Sequence, residues 1–96
     1  MKPKVVRLKI REAAAELNVC PKTIHNHIRK YADMVEGTSN DSLPSSPTNG
    51  LRGIPINISR SGRITWRVDR RDIDDYIENG RREARGLKLR NWRANA

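Results

Sequence analysis

The sequence has no phenylalanine, one cysteine and, in 96 residues, only two tryptophans and two tyrosines. The lone Cys20 excludes an internal disulfide and a multi-cysteine zinc site. Hydrophobic residues are 35% of the chain, and no run approaches the roughly 20 apolar residues that span a bilayer. The N-terminal Met1-Lys2-Pro3-Lys4-Val5-Val6-Arg7 is charged but has no apolar stretch behind it, so a secretory signal is not expected. These absences predict a cytoplasmic protein. A chain so short and polar buries a modest core. One small domain without a large enclosed substrate pocket is therefore expected, with no small-molecule substrate, cofactor or metal.

Basic charge, by contrast, is abundant. Lys and Arg total 20 against 11 Asp and Glu, a net charge of +9. The excess sits at the two ends: residues 1–30 carry eight cations and two anions, and residues 81–96 carry six and one. The middle is nearly balanced. Arg outnumbers Lys by 14 to 6, and the planar guanidinium fork suits phosphates and guanine edges. Clustered basic charge is the electrostatic footprint of a nucleic-acid binder. An anionic membrane surface would attract the same charge, but the broad Trp/Phe/Leu face of a membrane-surface helix is missing.

Along the chain, Leu8 and Ile10 close a short extended segment. From Arg11 the pattern turns helical, with Ala13, Ala14 and Leu17 inward and Glu12 and Glu16 outward. Asn18 suits the left-handed turn that stops this helix, and Val19 follows as an apolar plug. Pro21 fits the first position of a second helix, read as running to Lys30, with Ile24 and Ile28 inward. Cys20 takes the cap position and is expected as a small buried hydrophobe. Residues 36–53, rich in Ser, Asn, Pro and Gly, show no periodicity and read as a long mobile loop.

Two strands follow. Ile54, Ile56 and Ile58 alternate with Pro55 and Asn57, and Ile64, Trp66 and Val68 alternate with Thr65 and Arg67. This predicts a hairpin with its tip at Ser59-Arg60-Ser61-Gly62-Arg63, and Pro55 makes the first strand an edge. Asp69 and Asp72 open a third helix as cap and N3. Ile73, Tyr76 and Ile77 form its inward stripe, and Asn79-Gly80 its stop. The domain is thus placed at 1–80 and a basic tail at 81–96. The expected fold is α+β, mainly α: a helix-turn-helix, a long loop, a two-stranded wing and a closing helix. A helix about 10–12 Å across fits the major groove of duplex DNA, and a slender hairpin carrying Arg60 and Arg63 reaches flanking phosphates or a minor groove.

The run Leu8-Lys9-Ile10-Arg11-Glu12-Ala13-Ala14-Ala15-Glu16-Leu17-Asn18-Val19 resembles the opening of excisionase-type and MerR-type winged helix-turn-helix domains. Cys20 to Arg29 matches that family's second helix. Trp66 to Ile77 is similar to its second wing strand and closing helix. About half the chain is covered. The resemblance departs at residues 36–53, where the family has only a few residues, and at Asn18, where it usually has a small turn residue such as Gly. The sixteen residues from Arg81 to Ala96 are too short and basic for the dimerising helix of MerR-type regulators. By elimination the resemblance implies a small phage or mobile-element protein, a recombination directionality factor. Such proteins bind repeated sites cooperatively, bend DNA and contact an integrase so that excision is favoured; many also repress a promoter.

Candidate DNA-binding residues follow. Lys22, Thr23, His25, Asn26, His27, Arg29 and Lys30 form the polar face of the second helix. Asn26 can pair with adenine, Arg29 or Lys22 with guanine. Arg60, Ser61 and Arg63 form the wing tip. In the tail, Arg81, Arg82, Arg85, Lys88, Arg90, Trp92 and Arg93 can extend the DNA footprint or, with Leu87 and Leu89, anchor a second copy or a recombinase; a disordered basic end is the plain alternative. Each charged face has a bland reading as a solvated surface. His25 and His27, at i and i+2, lie about 200° apart on a helix and cannot chelate one ion together. Asp69 and Asp72 are explained by capping and the helix dipole, with Asp74, Asp75 and Glu78 read as solvent-facing. No enzymatic site is expected. The rival functions are a small repressor of the same fold, a terminase small subunit and an RNA-associated basic protein.

Overall fold

The computed structural model describes residues 6–38 and 43–93. Among these, the elements run β1 (Arg7–Lys9), α1 (Ile10–Leu17), α2 (Pro21–Thr38), β2 (Ile54–Ile58), β3 (Ile64–Asp69) and α3 (Arg70–Ala84). The three strands form one antiparallel sheet in the order β1-β3-β2. The chain is therefore a small α+β protein, as expected. The extended segment before α1 is more than a lead-in: it pairs with β3, with Leu8 opposite Val68.

Helix α1 begins where the Glu12 carboxylate accepts the Lys9 amide at 2.9 Å. It buries Ala13 and Ala14, whose small side chains bring the α2 backbone close. It ends at Asn18, the only non-glycine residue with positive φ (55°) among those described. The amides of Asn18 and Val19 donate to the carbonyls of Ala15 and Ala14, which the helix end would otherwise leave unpaired. Val19 is exposed rather than a plug, and Cys20 is exposed rather than buried. The turn is closed by backbone hydrogen bonds, so neither side chain is needed inside.

Pro21 opens α2 as its spacing predicts. Ile24 and Ile28 are buried, and Tyr31 continues the stripe at i+7. That continuation carries the helix to Thr38, eight residues past the expected end at Lys30. The Tyr31 hydroxyl donates to the Leu43 carbonyl at 2.8 Å.

The expectation of a mobile loop at 36–53 is corrected for its described part. Residues 36–38 belong to α2, 39–42 lie outside the described residues, and 43–53 are fixed against the helices. Ser46 and Gly50 exchange backbone hydrogen bonds at 2.9 and 2.7 Å, closing a small loop. Leu51 is fully buried, and its amide donates to the His27 carbonyl at 3.1 Å. Gly50 (φ 94°) lies so close to α2 that a Cβ would stand 2.5 Å from the His27 carbonyl oxygen. These anchors are backbone contacts and buried serines, which leave no periodic signal.

The hairpin forms as expected, with β2 at the edge. Its register shifts between Pro55 and Asn57: Pro55 lies opposite Trp66, but Ile58 lies opposite Ile64. A bulge fits here because proline has no N–H for the ladder. Cross-strand partners share a face, so the bulge puts Ile58 on the side of Ile64, Trp66 and Val68, while Ile54 opposes Arg67.

Helix α3 is capped by Asp69, whose carboxylate accepts the Arg71 amide at 2.9 Å. It runs through Asn79-Gly80 to Ala84, past the expected stop. Ile73 joins the core of Leu8, Ala13, Ala14, Ile24, Ile28, Leu51 and Val68; Tyr76 packs on its margin, and Ile77 is exposed.

Candidate nucleic-acid interface

The site is built from the outside of α2 upward. The stripe that buries Ile24, Ile28 and Tyr31 turns Lys22, His25, Asn26 and Arg29 to solvent. None of these four side chains has a hydrogen bond or ion pair among the described residues. They present two fixed cations, an amide that can both donate and accept, and an imidazole. The Asn18 turn sets the start of this helix against α1, leaving its N-terminal half on the surface.

Three other residues expected on this face do something else. His27 is half-buried: its Nε2 lies 3.1 Å from the Tyr76 hydroxyl, with the rings in an edge contact. Burial, and then Lys30, hold its pKa below the ordinary value, while burial and Glu83 raise that of Tyr76. A phenol donating to a neutral imidazole satisfies both, so His27 ties α2 to α3. The Lys30 ammonium donates to the Pro47 carbonyl at 3.1 Å and clamps the 43–53 segment. Thr23 is half-buried, and its hydroxyl lies 3.2 Å from Cys20 Sγ. That contact is the main reason the Cys20 thiol sits below its usual pKa.

Across from α2 stands the hairpin. Ser59 and Arg63 close its tip through a backbone hydrogen bond of 2.8 Å, and Gly62 takes φ 83°. Ser61 is held by Ser59 at 2.9 Å. Arg60 and Arg63 extend into solvent, with no side-chain partner among the described residues. Between α2 and the sheet lies an open groove of about 260 Å³, lined by His25, Ile28, Arg29, Ala32 and Trp66. Trp66 forms its floor from the core margin. Gly53 permits that packing, since a Cβ there would meet Ile28 and Trp66 at 2.8 and 2.9 Å.

The tail divides. Residues 85–93 fold back along α3. Asp75, at 1% exposure, accepts Arg90 Nε at 2.8 Å and the Trp92 amide at 3.0 Å. Asn79 accepts the Arg90 amide at 2.6 Å and donates to the carbonyls of Arg90 and Ser45, both at 2.8 Å. Asp72 accepts the Ser45 hydroxyl at 3.1 Å and Arg93 Nη2 at 2.9 Å. The guanidinium groups of Arg71 and Arg93 each lie over the Trp92 ring, 5.0 Å from its centroid. Arg90, Trp92 and Arg93 thus form a strap on α3. Asp72 and Asp75 are its buried receptors rather than a cap and a solvent group. Their i, i+3, i+7 spacing with Asn79 is the signal that finds them: a polar stripe of helical period, matched by a basic tail.

Arg81 and Arg82 pair with Glu78 at 3.9 and 3.3 Å, and Arg82 also donates to the Lys88 carbonyl at 3.1 Å. Arg85 and Lys88 are exposed. No group of His, Cys, Asp and Glu among the described residues is arranged to hold a metal, and no described helix is long and apolar enough to cross a membrane. Comparison with family models, curated proteins and solved structures finds no match to this chain.

Proposed function

We propose that the protein is a non-enzymatic, sequence-specific binder of double-stranded DNA with a winged helix-turn-helix architecture. Helix α2 enters the major groove, and the β2–β3 wing holds flanking backbone. The observation that carries this reading is the sorting of cations. Lys30, Arg70, Arg82, Arg90 and Arg93 are each engaged within the molecule. Lys22 and Arg29 on α2, with Arg60 and Arg63 on the wing, are exposed and not so engaged, and Arg29 lines the groove beside Trp66. Asn26 and Arg29 have the donor and acceptor geometry that reads adenine and guanine edges.

The role that fits best is an excisionase-type directionality factor. It rests on the resemblance of Leu8 to Val19, Cys20 to Arg29 and Trp66 to Ile77 to that family. Copies bind adjacent sites cooperatively, since one module of this size reads few base pairs, and an integrase is the protein partner.

Selection from a random duplex pool tests the binding reading. It is expected to enrich a defined motif, with ladder-like complexes on repeated copies. Recovery of unrelated sequences, bound equally well as shuffled DNA, would contradict it. Stimulation of integrase-driven excision then separates the recombination role from that of a repressor, which occupies a promoter without acting on excision.

A further inference from the structure

The hairpin carries an unusual combination at its end. Ile58 and Ile64 face each other across the strands and are 67% and 40% exposed. They are the outer end of an apolar row on β3 that begins at buried Val68 and passes through Trp66. Residues 54–68 contain three arginines and no acidic residue. Arg60 and Arg63 stand immediately beyond the isoleucine pair, and Arg29 lines the groove at the foot of the hairpin. An occupant of this face must offer an apolar surface bracketed by negative charge. A protein surface that covers two isoleucines is apolar but would also have to neutralise these arginines. An opened base step offers both features, with the faces of unstacked bases between two phosphate rows.

We propose that Ile58 and Ile64 form an apolar wedge that inserts at a base step from the minor groove and kinks the duplex. This rests on the DNA-binding reading above and adds a second contact mode to it. Apolar side chains inserted in this way unstack a step and bend DNA by roughly 20–90° toward the major groove. The hairpin is suited to the task. The bulge at Pro55–Asn57 puts both isoleucines on one face, the serine and backbone contacts hold the tip in one shape, and Arg60 and Arg63 offset the phosphate charge on either side. Pyrimidine–purine steps, which unstack most readily, are the preferred sites.

The test uses the full chain and a duplex recovered from the random pool, with 2-aminopurine placed in turn at each step flanking the motif. This base brightens when unstacked. The wild type is expected to brighten one flanking step several-fold on binding. The Ile58→Ser, Ile64→Ser double variant is expected to bind within about ten-fold of wild type while leaving that step dark. Ile58→Leu, which keeps an apolar wedge, retains the signal; both isoleucines are exposed, so thermal melting checks that the fold persists. Binding by the wild type with every step dark, or a signal retained in the serine variant, overturns the wedge while leaving the DNA-binding reading intact. Loss of the ladder of cooperative complexes with an unchanged signal assigns the patch to contact between copies and likewise overturns it. If no duplex is bound above shuffled DNA, the functional reading falls and the wedge with it.

Discussion

Arg29 and Lys30 are adjacent cations on one helix, yet they serve different ends. Lys30 reaches back to the Pro47 carbonyl, whereas Arg29 lines the open groove beside Trp66. Arg29→Ala is therefore expected to weaken binding to the selected duplex by roughly 10- to 100-fold, the range for losing one bidentate base contact, with no change in melting temperature. Lys30→Ala is expected to leave affinity within a few-fold and lower the melting temperature slightly; titration and melting of both variants check this. Gly50 makes the second residue-scale prediction. Any Cβ there meets the α2 backbone, and φ 94° is strained for other residues. Gly50→Ala should cost at least about 2 kcal/mol, read as a melting temperature lower by roughly 10 °C. A variant that melts with the wild type would show that the 43–53 segment does not need this contact. Neither assignment is visible in residue type alone. Lys22, His25, Asn26 and Arg29 were legible as the outer face from the Ile24–Ile28 stripe. That His27 turns to Tyr76 depends on a partner 49 positions away.

The elements of the sequence emerged unevenly for reasons that are physical. The α1–α2 turn is written in local chemistry, an alanine-rich helix, Asn18 and Pro21, and the structure has it there. The hairpin alternates cleanly, and the bulge that re-aims Ile58 follows from Pro55. The end of α2 was misplaced at Lys30, although Tyr31 extends its inward stripe and the helix runs on to Thr38. The docking of 43–53 was not legible, because serine hydroxyls and glycine approaches carry no period. The strap at 85–93 belongs between these cases, since its arginines answer carboxylates on α3. It also makes the element sensitive to pH. Burial, then Asp69, pushes the Asp72 carboxyl up to about 7 against the Ser45 hydroxyl and Arg52, and Arg93 reaches it at 2.9 Å. A carboxyl whose folded pKa exceeds its unfolded value of 3.8 takes up a proton more readily in the fold. This group therefore favours folding below about pH 4, and that advantage is lost as pH rises from 4 through 7. Protonation also removes the charge that holds Arg93. In a Trp66→Phe background, Trp92 fluorescence is expected to titrate with a midpoint near 7. Asp72→Asn should abolish that transition; a midpoint unchanged in this variant would assign the titration elsewhere.

At the scale of the whole molecule, a net charge of +9 suggests a polyanion but does not place it. Part of that charge is spent internally: Arg90 and Arg93 neutralise two buried aspartates, and Glu78 pairs with Arg81 and Arg82. Of the cations left free on α2 and the wing, Arg29 lines the groove floored by Trp66, and this gives the charge a direction. Charge alone would bind any duplex and release it with salt, since each neutralised phosphate contributes to the slope of affinity against salt. Base reading by α2 would instead persist as a preference after that component is screened. The measurement that separates the two is a fluorescence-anisotropy titration of the selected duplex and its shuffled counterpart at 50 and 200 mM salt. A preference of at least about 100-fold is expected and is retained at the higher salt, even as both affinities fall. Equal affinities for the two duplexes, collapsing together as salt is raised, would contradict it.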